Sequence, residues 1–294
     1  MNIDQCRFCG SENTKKLFSS FNMHGRHIID EDDKFDLRKC FCCDCVFVSG
    51  IEIKKEYYDK YYEADYYSAD KDNGFLIKAW SLIYKLFFNK KENIISGYFK
   101  NTKNKLSILD IGCGNGNFLI SLDSKKFEKN GVEINPQGIK ICEDNGINIY
   151  KKSIEFIDFG EKKFDIITLW HVMEHLENPQ IIFEKLQKII KDNGVLIFQV
   201  PNNESLGFKF GKKYWFHLDS PRHLAIPNKK TIEIICKKNG LRIIDIKNEF
   251  YDYPLDLLWS IRRHSIRFLI YPFYPLFKFF SKEHLTFICK KIVK

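Results

Sequence analysis

Ile108-Leu109-Asp110-Ile111-Gly112-Cys113-Gly114-Asn115-Gly116-Asn117-Phe118 decides how this chain is read. A short apolar run ends in an acid, glycines follow at alternate positions, and an amphipathic segment, 118–122, comes next. That is a strand, a tight loop and the opening of a helix. Glycine lets the backbone turn sharply and pass close to a ligand. A dinucleotide fingerprint needs its third glycine at position 117, where this chain carries Asn117. A pyrophosphate also prefers a helix N-terminus free of carboxylate. Asp110, two residues before the first glycine, suits a cationic or neutral ligand instead. Glu133 lies about 20 residues further on, at the end of a second strand, where an acid accepts from two ribose hydroxyls. The set points to a nucleoside-type cofactor.

Outward from that loop, strand-like and helix-like runs alternate. Residues 105–111, 131–134, 147–150, 164–170 and 195–200 read as strands, and 241–246 and 285–292 supply two more. The run 164–170 is almost continuously apolar, as a strand covered on both faces should be. Ile181, Ile182, Leu186, Ile189 and Ile190 repeat at helical spacing, with Asn193-Gly194 as the stop. Such alternation implies a parallel, doubly wound α/β sheet.

The chain has 294 residues, 44% of them apolar, enough for one α/β domain and a smaller module. Composition divides it into a cysteine-rich module (1–50), a Tyr-rich bridge (51–104) and the α/β domain (105–294), with an aromatic, basic insertion near 250–283. The N-terminus has no apolar secretory core, and no run reaches the ~20 apolar residues of a spanning helix. A cytoplasmic protein is expected. The net charge of +9 comes mostly from dispersed lysine, so nucleic acid is not an expected partner.

Residues 1–50 hold six of the ten cysteines, and a chain without a secretory signal uses them for metal sooner than for disulfides. Cys6-Arg7-Phe8-Cys9 is followed by Cys40-Phe41-Cys42-Cys43-Asp44-Cys45. Two CxxC pairs offer four thiolates to one ion, and a four-cysteine site selects structural zinc. Cys40/Cys43 and Cys42/Cys45 both fit the spacing. Cys6, Cys9, Cys40 and Cys43 are the preferred ligands of a small zinc-ribbon-like module, too short to fold without the ion.

The run 109–116 resembles the first motif of class I S-adenosylmethionine-dependent methyltransferases, and the likeness extends over roughly 105–292. It implies a Rossmann-like seven-stranded sheet with the last strand antiparallel. It also implies that Gly112, Gly114 and Gly116, leading into Phe118, line the methionine and ribose of S-adenosylmethionine. By the same resemblance Asp110 sits near the amino group and Glu133 binds the ribose diol. Ser153 and Ile154 neighbour the adenine, and Leu169 and Trp170 lie under the cofactor. A cysteine-pair module followed by a Tyr-rich bridge and this domain is also similar to deoxysugar C-methyltransferases with an N-terminal zinc-binding domain.

His171-Val172-Met173-Glu174-His175 follows the fourth strand, and Pro221-Arg222-His223 follows the fifth, preceded by His217 and Asp219. Methyl transfer to a hydroxyl needs in-line placement and gains from a base near neutrality. His171 and His223 are the favoured bases, with Glu174 and His175 as further catalytic or orienting residues. Alternatively His171, Glu174, His175 and His223 hold a divalent ion that polarises the acceptor. A similar acid-x-x-Glu-His pattern occurs in metal-dependent O-methyltransferases of ubiquinone synthesis and of small-RNA ends, which carry Glu where this chain has His171. Arg222 either binds a substrate phosphate or bridges to Asp219.

Tyr57, Tyr58, Tyr61, Tyr62, Tyr66 and Tyr67 read as packing between module and domain, and Trp80, Leu82, Ile83, Leu86 and Phe87 as one face of a covering helix. Residues 261–294 hold eight Lys or Arg against one acid, Glu283, interleaved with aromatics. Pro272 and Pro275 break any single helix there. This tail reads either as core-packing helices or as contact with a membrane surface or a lipid-linked substrate. The expected activity is methylation of a sugar, nucleotide-sugar or cell-surface glycan in polysaccharide biosynthesis. The alternatives are O-methylation of a quinone-like molecule or RNA end, and a scaffold without catalysis.

Overall fold

The computed structural model describes residues 4–62, 90–99, 104–248 and 253–292. Its strands are β1 (Thr14–His24), β2 (His27–Cys40), β3 (Val46–Val48), β4 (Leu106–Ile111), β5 (Phe127–Val132), β6 (Asn148–Tyr150), β7 (Phe164–Trp170), β8 (Ile190–Pro201), β9 (Ala225–Ile226), β10 (Leu241–Lys247) and β11 (His284–Lys291). The helices are α1 (Lys55–Tyr61), α2 (Asn117–Ser121), α3 (Pro136–Asp144), α4 (Pro179–Ile189), α5 (Leu206–Gly211), α6 (Lys229–Lys238), α7 (Asp256–Ile261), α8 (Arg267–Ile270) and α9 (Tyr274–Ser281). No described helix is long and apolar enough to cross a membrane.

The expected seven-stranded sheet is present, in the order β10-β11-β8-β7-β4-β5-β6. Strand order reverses at β4, where open α/β sheets bind ligands beyond the strand ends. β4 pairs in parallel with β5 and β7, placing Asp110 opposite Gly131 on one side and Thr168 on the other.

The chain divides into two compact units: Lys55–Trp170 with Lys185–Ile197 and Lys290–Lys294, and Met1–Lys54 with His171–Glu184 and Phe198–Cys289. In the first unit every side chain of β4 is buried, as a central parallel strand requires. β5 begins at Phe127, earlier than its apolar run suggests, because polar Asn130 is fully buried and donates to the Ile108 carbonyl. α4 ends at Ile189, and Asn193-Gly194 belongs to β8 rather than to a helix stop. A Cβ on Gly194 would lie 3.0 Å from the Asp165 carbonyl oxygen, so glycine there serves close strand packing. The aromatic rings of Tyr57, Tyr58, Tyr61 and Tyr62 cluster on and just after α1. Tyr66, Tyr67, Trp80, Leu82, Ile83, Leu86 and Phe87 lie outside the described residues.

In the second unit β1 and β2 form a long hairpin that runs from the His24↔His27 pair back to Thr14↔Cys40. That return brings Cys40 to the N-terminal turn, in which Gly10 N–H donates to the Cys6 carbonyl. The hairpin belongs to a four-stranded sheet, β1-β2-β3-β9, whose last strand comes from Ala225–Ile226. Two residues leave no periodic signal in a sequence, yet they tie the cysteine segment to the chain around α6. Thr231 Oγ1 donates to the Cys43 carbonyl at 2.8 Å, and Asn203 Nδ2 to the Asp44 carbonyl at 2.9 Å.

Candidate functional site

Three groups of side chains carry the chemistry. The first surrounds the glycine loop. Gly112, Gly114 and Gly116 have φ of 67°, 54° and 70°, a left-handed run that glycine adopts without strain. The Gly116 position is crowded, since a Cβ would meet Cys142 Sγ at 2.6 Å, whereas no atom of the described residues lies within 4 Å of a Cβ on Gly114. Glu133 shapes the loop through its backbone contacts. One carboxylate oxygen accepts from Gly114 N–H, and the other from the N–H groups of Ile134 and Asn135, each at 2.8 Å. The oxygen that takes the Gly114 N–H keeps a lone pair for a further donor.

Asp110 is buried and accepts from Thr168 Oγ1 at 2.6 Å. Burial pushes its carboxyl up to about 7, with Thr168 and the nearby Lys91 ammonium pulling the other way. Phe118 is buried and meets Trp170 edge-on at 5.4 Å. Lys91 lies 4.2 Å over the Trp170 ring, and Trp170 Nε1 is buried without an acceptor among the described residues. Leu169 is fully buried. Ser153 is half-buried and bonds Glu155, while Ile154 is buried. Lys185 fixes that turn by donating to the carbonyls of Ile154, Glu155 and Ile157. Thr168, Lys91 and Lys185 were missed in the sequence because an isolated Thr or Lys has no spacing to mark it.

The second group follows β7. His171 adopts φ 55°, which a side-chain-bearing residue holds only under constraint. Its Nδ1 lies 3.4 Å from Glu174 Oε1, and its Nε2 is buried with no hydrogen-bond partner among the described residues. Glu174 is fully buried, and among the described residues neither carboxylate oxygen has a hydrogen-bond partner within normal reach. Burial alone would push that carboxyl up. His171 and then His223 outweigh it, leaving Glu174 below the usual range. His223 donates from Nδ1 to the His217 carbonyl at 2.8 Å, while its Nε2 faces Glu174 at 4.0 Å and Asp219 at 3.7 Å. A cation between that nitrogen and the carboxylates, proton or metal, satisfies all three.

His175 donates from Nδ1 to the Arg222 carbonyl, and burial with His223 nearby lowers its pKa to about 4, so the ring is neutral at pH 7. Ligand atoms of Glu174, His175 and His223 lie within 4.8 Å of one another, which fits a divalent ion. Arg222 donates to Asp219 at 2.9 Å and to the Met23 carbonyl, the bridging alternative for this residue. His217 and His284 were not foreseen as neighbours. His217 bonds Asp256 at 2.8 Å, and the His284 ring lies 5.3 Å from that of His171, its Nε2 4.0 Å from Asp256 and both its nitrogens buried without a hydrogen bond among the described residues. Asp256 and His284 lie in stretches with no motif.

The third group is the cysteines. Sγ atoms of Cys6 and Cys43, and of Cys9 and Cys40, are 3.5 Å apart, and all four fall within 4.8 Å. Cys42 is exposed against Ser11, while Cys45 is buried with its Sγ toward the Val46 and Ile226 carbonyls. Four sulfur atoms this close fit the ligand set of one tetrahedral ion.

A sequence profile described as "Methyltransferase domain" matches residues 83–246, more than half of the chain. The chain belongs to the methyltransferase-domain family. It is an S-adenosylmethionine-dependent methyltransferase of Rossmann-like fold. The methyltransferase is 25% identical over 175 residues to a ubiquinone biosynthesis O-methyltransferase of Coxiella burnetii, covering 55% of this chain and 74% of the relative. It is 32% identical over 130 residues to the enzyme of that name from Rickettsia conorii, covering 42% of each chain. Among solved structures it is similar in fold to the plantazolicin methyltransferase BamL, with a TM-score of 0.50 and 21% identity over 71% of this chain and 86% of that one.

Proposed function

We propose that this methyltransferase moves the methyl group of S-adenosylmethionine to a hydroxyl of a sugar, nucleotide-sugar or cell-surface glycan, with His171 as the base and Glu174 holding it. The His171–Glu174 pair carries the reading. A carboxylate beside Nδ1 favours the tautomer with its proton there, leaving a lone pair on the buried Nε2. The acceptor oxygen attacks the methyl carbon in line, the carbon–sulfur bond breaks, and its electron pair leaves sulfur neutral in S-adenosylhomocysteine. The hydroxyl proton goes to Nε2. His223 and His175 hold the surrounding loop and its charge.

For the donor, Asp110 takes the amino group, and the bare backbone at Gly112, Gly114 and Gly116 passes along methionine and ribose. Phe118 packs beneath the loop. Glu133 takes the ribose diol. Ser153 and Ile154 border the adenine, with Leu169 and Trp170 below. The open space at Gly114 and the unpaired Trp170 Nε1 support this assignment.

A polyol suits the acceptor side better than a flat apolar ring. Among the described residues the side chains of Gln199 and His284 are buried without hydrogen-bond partners; the His284 ring lies beside that of His171, and the Gln199 carbonyl accepts from His171 N–H. The order of cysteine module and catalytic domain is also that of the sugar enzymes it resembles. Structural zinc at Cys6, Cys9, Cys40 and Cys43 belongs to this reading, as does a cytoplasmic setting that keeps the cysteines reduced. The segment 261–294 suits an acceptor presented at a membrane surface on a lipid.

A second reading rests on the Glu174, His175 and His223 ligand atoms and on the relatives' names. There a divalent ion supplies Lewis acidity to a quinone-like acceptor, and these three residues hold it. Zinc-loaded protein incubated with labelled donor and nucleotide sugars, oligosaccharides, quinols and short RNAs decides between them. Label in a sugar hydroxyl, insensitive to chelator and lost in His171→Ala, is the expected result. Label in a quinol alone, dependent on added metal, overturns the sugar reading.

A further inference from the structure

Helices α7, α8 and α9 already have a core. Leu257, Ile261 and Ile270 are fully buried, and Leu206, Phe210, Ile266, Tyr274 and Phe277 pack against them. Core packing therefore accounts for their inner faces only. On the outside, Phe268 is 72% exposed, Phe273, Leu276 and Phe280 59% each, Leu269 57% and Phe279 50%. Soluble surfaces rarely gather large apolar side chains so densely without a partner for them.

The exposed charges nearby have one sign. Residues 257–282 contain Arg262, Arg263, Arg267 and Lys282 and no acid, while Lys278 is buried against Asp256. Beside α7 a cavity of about 260 Å³ is walled by Phe18, Phe210 and Tyr214 and rimmed by Lys212, Lys213 and Arg263. Arg263 lies 4.5 Å over the Tyr214 ring and Lys213 lies 5.2 Å over it. No carboxylate among the described residues pairs with Lys212, Lys213 or Arg263. Lys212 also holds φ 48°, a left-handed conformation that a lysine keeps only where its surroundings impose it.

We propose that this face docks on an anionic phospholipid membrane: the aromatic surface of 268–280 enters the interface, and the Lys212–Lys213–Arg263 cavity takes a lipid phosphate. The proposal rests on the membrane-side reading of 261–294 and deepens it by naming the headgroup site. A short amphipathic segment with a cationic rim lies in the plane of the interface and gains about 1 kcal/mol from each cation near an anionic surface. One short lipid-facing segment gives reversible binding, as an enzyme that must release product requires.

Flotation with vesicles tests it on the full chain, using phosphatidylcholine alone and phosphatidylcholine mixed with phosphatidylglycerol. Wild type should float with the mixed vesicles and not with the neutral ones. Lys212→Ala with Arg263→Ala should lower partitioning about thirtyfold, since two cations at roughly 1 kcal/mol each are removed. Phe268→Ser with Phe279→Ser should abolish it. Lys229→Ala with Lys237→Ala, exposed on α6, should change nothing. Every substituted side chain is exposed, so each variant should fold, and unchanged S-adenosylhomocysteine binding verifies that.

Equal binding to both vesicle types, lost with the Phe pair, would keep the membrane reading and overturn the phosphate site. No binding to either would overturn both. Binding lost with the cation pair and untouched by the Phe pair, or matched in affinity by soluble glycerol phosphate, would make the cavity a free-anion site and overturn the proposal.

Discussion

The hydroxyl of Thr168 donates to Asp110 at 2.6 Å across the parallel pair of β4 and β7. It is the strongest influence opposing the burial that pushes Asp110 up to about 7. A cation arriving beside Asp110 favours the ionised form, so on the proposed donor assignment Thr168 should tune donor affinity without touching the donor. Thr168→Val should raise the Asp110 pKa further. It should weaken S-adenosylhomocysteine binding at pH 7 by roughly tenfold, the value of a lost hydrogen bond to a charged group. Calorimetry at that pH checks it, and an unchanged affinity would contradict it.

The same carboxyl sets a stability trend. Its folded pKa lies above its ordinary value, so its contribution is full below pH ~4 and is lost as pH rises through about 7. Asp110→Asn removes that loss. The variant should be more stable than wild type at pH 8, by at most about 4 kcal/mol, and so melt higher, with the gap closing toward pH 4. Paired thermal melts across pH read this directly.

Two glycines should respond differently to the same change. Gly116→Ala places a methyl 2.6 Å from Cys142 Sγ on a left-handed backbone, so it should lower the melting temperature clearly. Gly114→Ala meets open space and pays only the backbone term, about 1–2 kcal/mol. It should keep the fold and lose the cofactor. Melting and calorimetry on both variants test the contrast, and equal effects on both would refute it.

Glu174→Gln keeps the shape of the buried carboxylate and removes its charge. Methyl transfer should fall by roughly 10²–10⁴-fold, the range for loss of general base catalysis, while donor affinity stays constant. His171→Ala should fall similarly, and the double variant little further, because the two act as one unit. Added imidazole should partly restore His171→Ala and not Glu174→Gln.

Cys40→Ser removes one of four converging thiols. Metal analysis should show one zinc fewer per chain than wild type. Melting should be lower and no longer respond to chelator, because ion binding and folding of that segment are coupled.

The sheet was legible because β7 carries seven consecutive residues at apolar strand spacing and the glycine loop marks the end of β4. What escaped reading depended on contacts between distant positions. β9 is two residues long, and the apolar pattern of β5 is broken by the polar Glu128, Lys129 and Asn130, the last fully buried. Thr168 becomes informative only once β7 lies beside β4. The cysteines Cys6, Cys9, Cys40 and Cys43 could be grouped by spacing, but only the β1–β2 hairpin brings the pairs together. His284 sits within a strand with no motif around it, so its place beside His171 and His217 could not be foreseen.

Calorimetric titration of S-adenosylhomocysteine into wild type and Asp110→Asn between pH 6 and pH 8 tests the donor assignment most directly. Wild-type affinity should rise with pH up to about 7 and then level, with proton release on binding, while the variant binds weakly at every pH. Equal affinity in both proteins, flat across that range, would mean that Asp110 does not hold the donor.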